Sequence, residues 1–334
     1  MQRPVKILVI RFSSFGDIVQ TMSVLGPLRQ RFSQAEVHWL CRSDMQSFLR
    51  SSEYKIHVWP FERKSGLLGL VKLALKLRKQ KITHVYDAHS NFRSRVVSFI
   101  LRMGRHVEFS RRSKDRWKRF LLFWFRFNKF PKPFRGMLSY QKPLTKWGVD
   151  PLEYSFHEWS FPDHVKDKLE KLGLTNKIAL APSAAWEMKR WPLEHWKELI
   201  LALDSQEFVI LGGPGDHFCK KLEEIAPDRV KNLAGQLSLL ESCYVVDQVA
   251  LTVSADTGLL HVADLLGRKG VALIGPTAFG YTSSKLIKIL EVSLPCRPCT
   301  KDGSGRCVQD VYKKCLVDIK PMLVKSEVMK LLSS

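Results

Sequence analysis

Three groups of residues have types and spacings suited to chemistry. The stretch Val253–Gly275, VSADTGLLHVADLLGRKGVALIG, reads as the end of an apolar strand, a turn at Asp256, Thr257 and Gly258, a helix, and a second apolar strand. A strand that feeds such a helix start can hold an anion, because free N–H groups point out of the first turn and the dipole is positive there. His261, one turn in, falls near the same spot. The second group is the loop Ser183–Pro192, SAAWEMKRWP, where Ser183 follows a strand and Lys189 and Arg190 are two cations suited to a phosphate. The run Leu211–Asp216, LGGPGD, is a weaker strand-to-helix turn of the same kind. The third group is Asp17 with the loop Ser13-Ser14-Phe15-Gly16 before it. Asp17 has two open readings: an acid stabilised in the first turn of a helix, or a general base at the mouth of a sheet. Ser13, Ser14 and Gly16 are either plain turn residues or a loop that hydrogen-bonds a bound oxyanion.

These residues need elements to hold them. Strand-loop-helix alternation begins at Val5–Phe12 and Asp17–Phe32 and continues through Val37–Cys41, Asp44–Arg50, Ile56–Trp59, Leu67–Lys79, His84–Asp87, Phe92–Met103 and His106–Ser110. After Pro- and Gly-containing sequence it resumes at Ile178–Pro182, Leu193–Leu203, Phe208–Leu211, Asp216–Ile225, Lys231–Leu233 and Leu239–Gln248. Such alternation predicts an α/β protein of two doubly wound parallel sheets, with ligands beyond the carboxyl ends of the strands. The expected division is an N-terminal domain over residues 1–155, a C-terminal domain over 156–318, and a terminal helix over 319–334. The connection falls near Asp150–Asp163. Neither the GxGxxG nor the Walker A spacing is present in the first loop, so it is not a standard nucleotide loop.

The 334 residues carry a formal net charge of +22 at an ordinary apolar fraction of 45%. That balance calls for a polyanionic partner: nucleic acid, an acidic membrane surface or a phosphorylated glycan. The stretch Arg111–Arg135 concentrates it, interleaving ten Lys or Arg with eight aromatic residues. Arg111, Arg112, Trp117, Lys118 and Arg119 open this stretch as a candidate membrane or acceptor patch. A domain helix that buries its rings and solvates its charges is the competing reading. Stacking on nucleic acid ranks below both, because no RNA-module signature accompanies the rings. The N-terminus lacks the pattern of a secretory signal, and no run approaches the roughly 20 apolar residues of a membrane span, so a cytoplasmic protein is expected. Cys296-x2-Cys299-x7-Cys307-x7-Cys315 has the ligand types of a structural zinc site without the tight second pair, and four reduced thiols are the alternative.

Four segments together resemble the ADP-heptose:lipopolysaccharide heptosyltransferases of glycosyltransferase family 9. They are ILVIRFSSFGDIVQTMSVLGPLR, KRWPLEHW, ILGGPGD and SADTGLLHVADLLGRKGVALIGPT, in that order. The resemblance implies a GT-B fold, two Rossmann-like domains facing across a cleft, and an inverting reaction with no catalytic metal. It makes Asp17 the base on the acceptor hydroxyl, with Lys189 on the donor's diphosphate and Thr257 and Gly258 offering it backbone N–H groups. Asp256 and His261 would line the donor site. The implied partners are ADP-heptose and a phosphorylated lipid A–Kdo or heptosyl-Kdo acceptor at the inner face of the cytoplasmic membrane. The basic-aromatic stretch would be an acceptor-domain insertion, no nucleic acid is involved, and a monomer is the default. The terminal helix of GT-B proteins often crosses back to the N-terminal domain. A nucleic-acid-binding protein with a four-cysteine zinc module, and a non-catalytic GT-B protein that binds a glycan or lipid, are the competing readings.

Overall fold

The computed structural model describes residues 4–153, 156–277 and 279–334. The chain forms two compact units, Met1–Trp117 with Met137–Ser160, and Lys118–Gly136 with Phe161–Ser334.

The first unit holds β1 (Lys6–Ile10), α1 (Phe15–Met22), α2 (Leu25–Arg31), β2 (Glu36–Arg42), α3 (Gln46–Arg50), β3 (Ile56–Phe61), α4 (Gly66–Lys79), β4 (His84–Asp87), α5 (Phe92–Arg102) and β5 (Glu108–Arg111). Its five strands are parallel in the order β3-β2-β1-β4-β5. β1 is central, and Ile7–Ile10 have no exposed surface, as a strand covered on both faces requires. From β1 the chain winds outward through β2 and β3, and from β4 it winds the other way. Their adjacent carboxyl ends therefore form a switch point, where a crevice opens. The one long helix expected over Asp17–Phe32 is two. The Ser23 hydroxyl donates to the Gln20 carbonyl at 2.7 Å and ends the first. Pro27 fits the opening turn of the second, where its missing N–H costs no helical bond.

Along the chain, α6 (Arg116–Phe125) and α7 (Gly136–Gln141) follow β5, and α7 from Met137 onward belongs to the first unit. The second unit then continues with α8 (Asp163–Glu170), β6 (Ile178–Ala181), α9 (Leu193–Ala202), β7 (Phe208–Ile210), α10 (Lys220–Glu223), β8 (Val230–Asn232), α11 (Leu239–Gln248), β9 (Leu251–Ala255), α12 (Gly258–Leu265), β10 (Gly270–Ile274), β11 (Ile287–Glu291), α13 (Lys314–Val317) and α14 (Pro321–Ser333). Its six strands are parallel in the order β11-β10-β9-β6-β7-β8. Here β6 and β9 are the neighbours from which the chain departs in opposite directions, and Ala181 lies beside Ser254. Two placements differ from the ranges expected from the sequence. Residues 118–136 group with this unit, where Leu122, Phe130 and Phe134 bury against Phe279. The terminal helix α14 is also part of it, with Val324 and Val328 buried in one core with Trp191, Trp196 and Leu273.

The β10–β11 crossover is tied down by a buried acid. Asp264 of α12 accepts the backbone N–H groups of Ser283 and Ser284 at 2.7–3.0 Å. Burial raises its pKa to about 6, against the opposing pull of those two donors. A group with a raised folded-state pKa favours the folded state below that value and loses the advantage as pH rises through it. Asp264→Asn keeps an acceptor and removes the titration. Between pH 4 and 7, wild-type stability of this unit should fall relative to the variant by on the order of 2 kcal/mol, read from denaturant midpoints.

Candidate active site

In the first unit the functional groups gather at the β1/β4 switch point. Asp17 sits in the first turn of α1. Its Oδ2 meets Arg11 Nη2 at 2.5 Å and accepts from the Ser14 hydroxyl at 2.8 Å. Its Oδ1 accepts from the Tyr140 hydroxyl at 2.9 Å. Arg11 is itself buried at the end of β1, donating to the Ala88 carbonyl after β4 at 3.0 Å. Tyr140 is fixed in turn by Tyr86, whose hydroxyl donates to the Tyr140 carbonyl at 2.6 Å. Burial alone would raise the Asp17 pKa. The Arg11 guanidinium and the donors from Ser14 and Tyr140 outweigh it and hold the carboxyl well below the usual range. Ser14 therefore serves Asp17, in a capping box, and its hydroxyl is not presented to an oxyanion. Gly16 lies within that first turn. Beside the loop a cavity of about 190 Å³ is lined by Ser13, Arg42, Arg63, His89, Asn91 and Arg93. Burial and the nearby Arg11 lower the His89 pKa to about 4, so the cavity's positive charge is that of its arginines.

In the second unit the groups gather at the β6/β9 switch point. The loop after β6 is anchored by two buried residues, Met188 and Trp191, the latter donating from Nε1 to the Ile319 carbonyl at 2.9 Å. Lys189 lies between them, and its Nζ is 2.7 Å from Asp256 Oδ2. Asp256 is buried at the end of β9, accepts from the Thr277 hydroxyl at 2.7 Å, and has His261 Nε2 3.7 Å from its other oxygen. Burial pushes its pKa up, and Lys189 with His261 brings it below the ordinary value. Gly280 is needed at this contact, since a Cβ there would stand 2.0 Å from Asp256 Oδ1. Thr257 caps α12, but its hydroxyl pairs with Ser254 at 3.0 Å and makes no cap bond to the helix. The first-turn N–H groups from Gly258 onward thus keep their capacity for an anion. Ser183 stands half-buried in the β6 loop.

Arg190 does not join Lys189. Its guanidinium donates to the Ala184 carbonyl at 2.9 and 3.0 Å and lies 3.5 Å from Asp216, which stiffens the loop. The two expected cations are one. Arg111 and Arg112 likewise have partners of their own, though Arg111 stays exposed. Arg111 pairs with the buried Asp87 at 2.9 Å, and Arg112 donates to Ser139 at 2.8 Å with its guanidinium over the Tyr140 ring. Lys118 and Arg119 lie over the rings of Phe130 and Phe279. Trp117 is 68% exposed.

The cysteine segment has a use that its spacing does not announce. Cys296, Cys299, Cys307 and Cys315 are free thiols. Among the described residues no three His, Cys, Asp or Glu side chains are grouped so as to hold a metal ion. The segment clasps the Lys189 loop. Lys313 Nζ pairs with Glu187 at 2.8 Å and donates to the Arg190 carbonyl at 3.2 Å, while the Tyr312 hydroxyl donates to Glu187 at 3.0 Å. Gly303, at φ +97°, lies against the Lys189 stem, where a Cβ would stand 2.6 Å from Cγ. Thr277 also lines a cavity of about 730 Å³, together with Phe130, Phe134, Phe279, Tyr281 and Arg297.

The sequence profile of glycosyltransferase family 9 (heptosyltransferase) matches residues 70–309 of the 334. The chain belongs to that family. It is a glycosyltransferase. Lipopolysaccharide heptosyltransferase 2 of Escherichia coli K12 is 24% identical to this family 9 chain, covering 98% of both. The solved structure of E. coli ADP-heptose LPS heptosyltransferase II has a TM-score of 0.74 to it at 21% identity, covering 98% of this chain and 99% of that one. An E. coli heptosyltransferase solved with ADP-2-deoxy-2-fluoro heptose has a TM-score of 0.69 at 17% identity, again covering 98% and 99%. These similarities give the fold as GT-B. Among the described residues no helix is long and apolar enough to cross a membrane.

Two expected outcomes follow from the geometry. Gly303→Ala displaces the Lys189 stem; if Lys189 holds a diphosphate, the Kd for ADP should rise about tenfold, a cost near 1.4 kcal/mol, in titration calorimetry. Arg11→Met removes the charge that lowers the Asp17 pKa. If ionised Asp17 is required, the acid limb of kcat/KM should move to higher pH.

Proposed function

We propose that this protein moves heptose from ADP-heptose to the lipopolysaccharide inner core, with inversion at the anomeric carbon. The relatives' names supply the donor and acceptor classes. The observation that carries the reading on this chain is Lys189, paired with Asp256 at the opening of α12. A diphosphate arriving there can take the ammonium from Asp256 and accept hydrogen bonds from Gly258 and the next backbone N–H groups.

In the reaction, the acceptor oxygen forms a bond to the sugar's C1 as the bond from C1 to the phosphate oxygen breaks. Its electron pair leaves with ADP. Lys189 and the α12 dipole stabilise the negative charge that grows on the departing diphosphate, so neither a protonating acid nor a metal is needed for that step. The proton of the acceptor hydroxyl goes to Asp17. A carboxylate held at so low a pKa is a weak base, yet it suffices here. The hydroxyl becomes strongly acidic only as its oxygen bonds to C1, and transfer late in that step asks for orientation more than basicity. Arg11, Ser14 and Tyr140 supply the orientation.

The arginine-lined cavity beside Ser13 favours an acceptor with a negative charge near the reacting hydroxyl, as Kdo and the phosphates of lipid A carry. The +22 balance of the chain supports work at an anionic surface such as the inner face of the cytoplasmic membrane.

The test is ADP release from ADP-heptose on addition of Kdo–lipid A or heptosyl-Kdo–lipid A, with the product anomer assigned by NMR. Asp17→Asn should lower kcat by about 10²–10⁴-fold with little change in ADP-heptose affinity. Lys189→Met should weaken donor binding as well as turnover. Full turnover by Asp17→Asn would refute the assignment of the base, and retention at the anomeric carbon would refute the single displacement.

A further inference from the structure

Helix α6 wears its rings on the outside. Its inner face is the buried Leu122 and the half-buried Phe123, packed on Phe130, Phe134 and Phe279. Its outer face carries Trp117, Phe120 and Trp124, which are 68%, 41% and 77% exposed. Their spacing of i, i+3 and i+7 makes one stripe along the helix. Phe125 and Phe127 extend it at 66% and 56% exposure. Three of these rings form a continuous surface, with Phe120 6.0 Å from Trp124 and 5.6 Å from Phe125 between centroids. A helix at a water-facing surface normally places charge on this side, and contiguous aromatic surface marks a site of contact.

The charges around the stripe identify its partner. Arg116 and Lys118 flank Trp117 on either side, and exposed Lys129 and Lys132 follow the helix. No Asp or Glu occurs between Arg116 and Val149. Two tryptophans on an apolar face, bordered by cations with Asp115 the one acid beside the helix start, suit the headgroup–acyl boundary of a bilayer: the rings take the boundary and the cations take anionic headgroups. A protein partner would need a matching acidic and apolar face, whereas an anionic bilayer offers both everywhere.

We propose that the outer face of α6, with Phe127, is a docking surface for an anionic lipid bilayer. The surface includes neither Asp17 nor Lys189, so the proposal holds or fails without regard to the sugar chemistry.

The test compares the full-length protein with Trp124→Gln/Phe125→Gln and with Lys118→Glu/Lys129→Glu. These residues are exposed, and near-UV circular dichroism checks that each variant keeps the native fold. The probes are phosphatidylcholine vesicles with and without 30 mol% phosphatidylglycerol. Wild type should sediment with the anionic vesicles at least tenfold more strongly than with the neutral ones. Its tryptophan emission should be quenched by lipids brominated near the headgroup end of the chain, and the Trp124→Gln/Phe125→Gln variant should lose most of that quenching. Both variants should bind anionic vesicles at least tenfold more weakly. Unchanged binding by the Trp124→Gln/Phe125→Gln variant overturns the proposal, as does equal wild-type binding to the two vesicle types. So does a concentration-dependent dimer that this variant abolishes while no vesicle binding is seen, which would give the face to a second copy of the chain.

Discussion

The buried contact between Lys189 and Asp256 constrains more of the second unit than any other. A carboxylate at the end of β9 with 8% of its side chain exposed is costly to keep ionised, and Lys189 at 2.7 Å offsets most of that cost, with His261 Nε2 3.7 Å from the other oxygen. Everything around it serves that pairing. Trp191 pins one side of the Lys189 loop to the core, and Lys313 and Tyr312 hold the other through Glu187. Thr277 fixes the carboxylate, and two glycines, Gly280 and Gly303, allow backbone to approach where a methyl group would not fit. The pair is also poised to be exchanged, because a phosphate can offer Lys189 what Asp256 offers. In the proposed reaction the site is preorganised for the donor's charge and reorganises by one hydrogen bond.

The first unit solves the opposite problem. In the proposed reaction Asp17 must remain ionised and aimed, and three donors from three elements do this: Arg11 from the end of β1, Ser14 from the turn before α1, and Tyr140 from α7. The same arrangement that orients the carboxylate weakens it as a base. That trade suits a transfer in which the nucleophile sheds its proton only after bonding to carbon has begun. It would not suit proton abstraction from an unactivated alcohol.

Much of this was legible in the sequence because it is local. The alternation that gives two parallel sheets, the turn at Asp256–Gly258 and the placement of Asp17 in a first helical turn all depend on residues a few positions apart. The partners of those residues are not local. Tyr140 is 123 positions from Asp17, and Gly303 is more than a hundred from Lys189, so no spacing rule reaches them. The partners of the cations are hidden for a related reason. Arg111, Arg112 and Arg190 stand alone in sequence, but Asp87, Tyr140 and the Ala184 carbonyl engage them in the fold. Edge strand β11 was missed because only Ile287 and Leu290 of its five residues are buried, too few to register as a period. The cysteines suggested a metal by type, while their segment contributes through Gly303, Tyr312 and Lys313.

The most direct measurement is a crystal structure of this protein with ADP bound. The account predicts Lys189 Nζ turned from Asp256 to a β-phosphate oxygen at about 3 Å, with the backbone N–H groups of Gly258 and its successor on the same phosphate. A diphosphate bound away from the start of α12, with the contact between Lys189 and Asp256 intact, would contradict it.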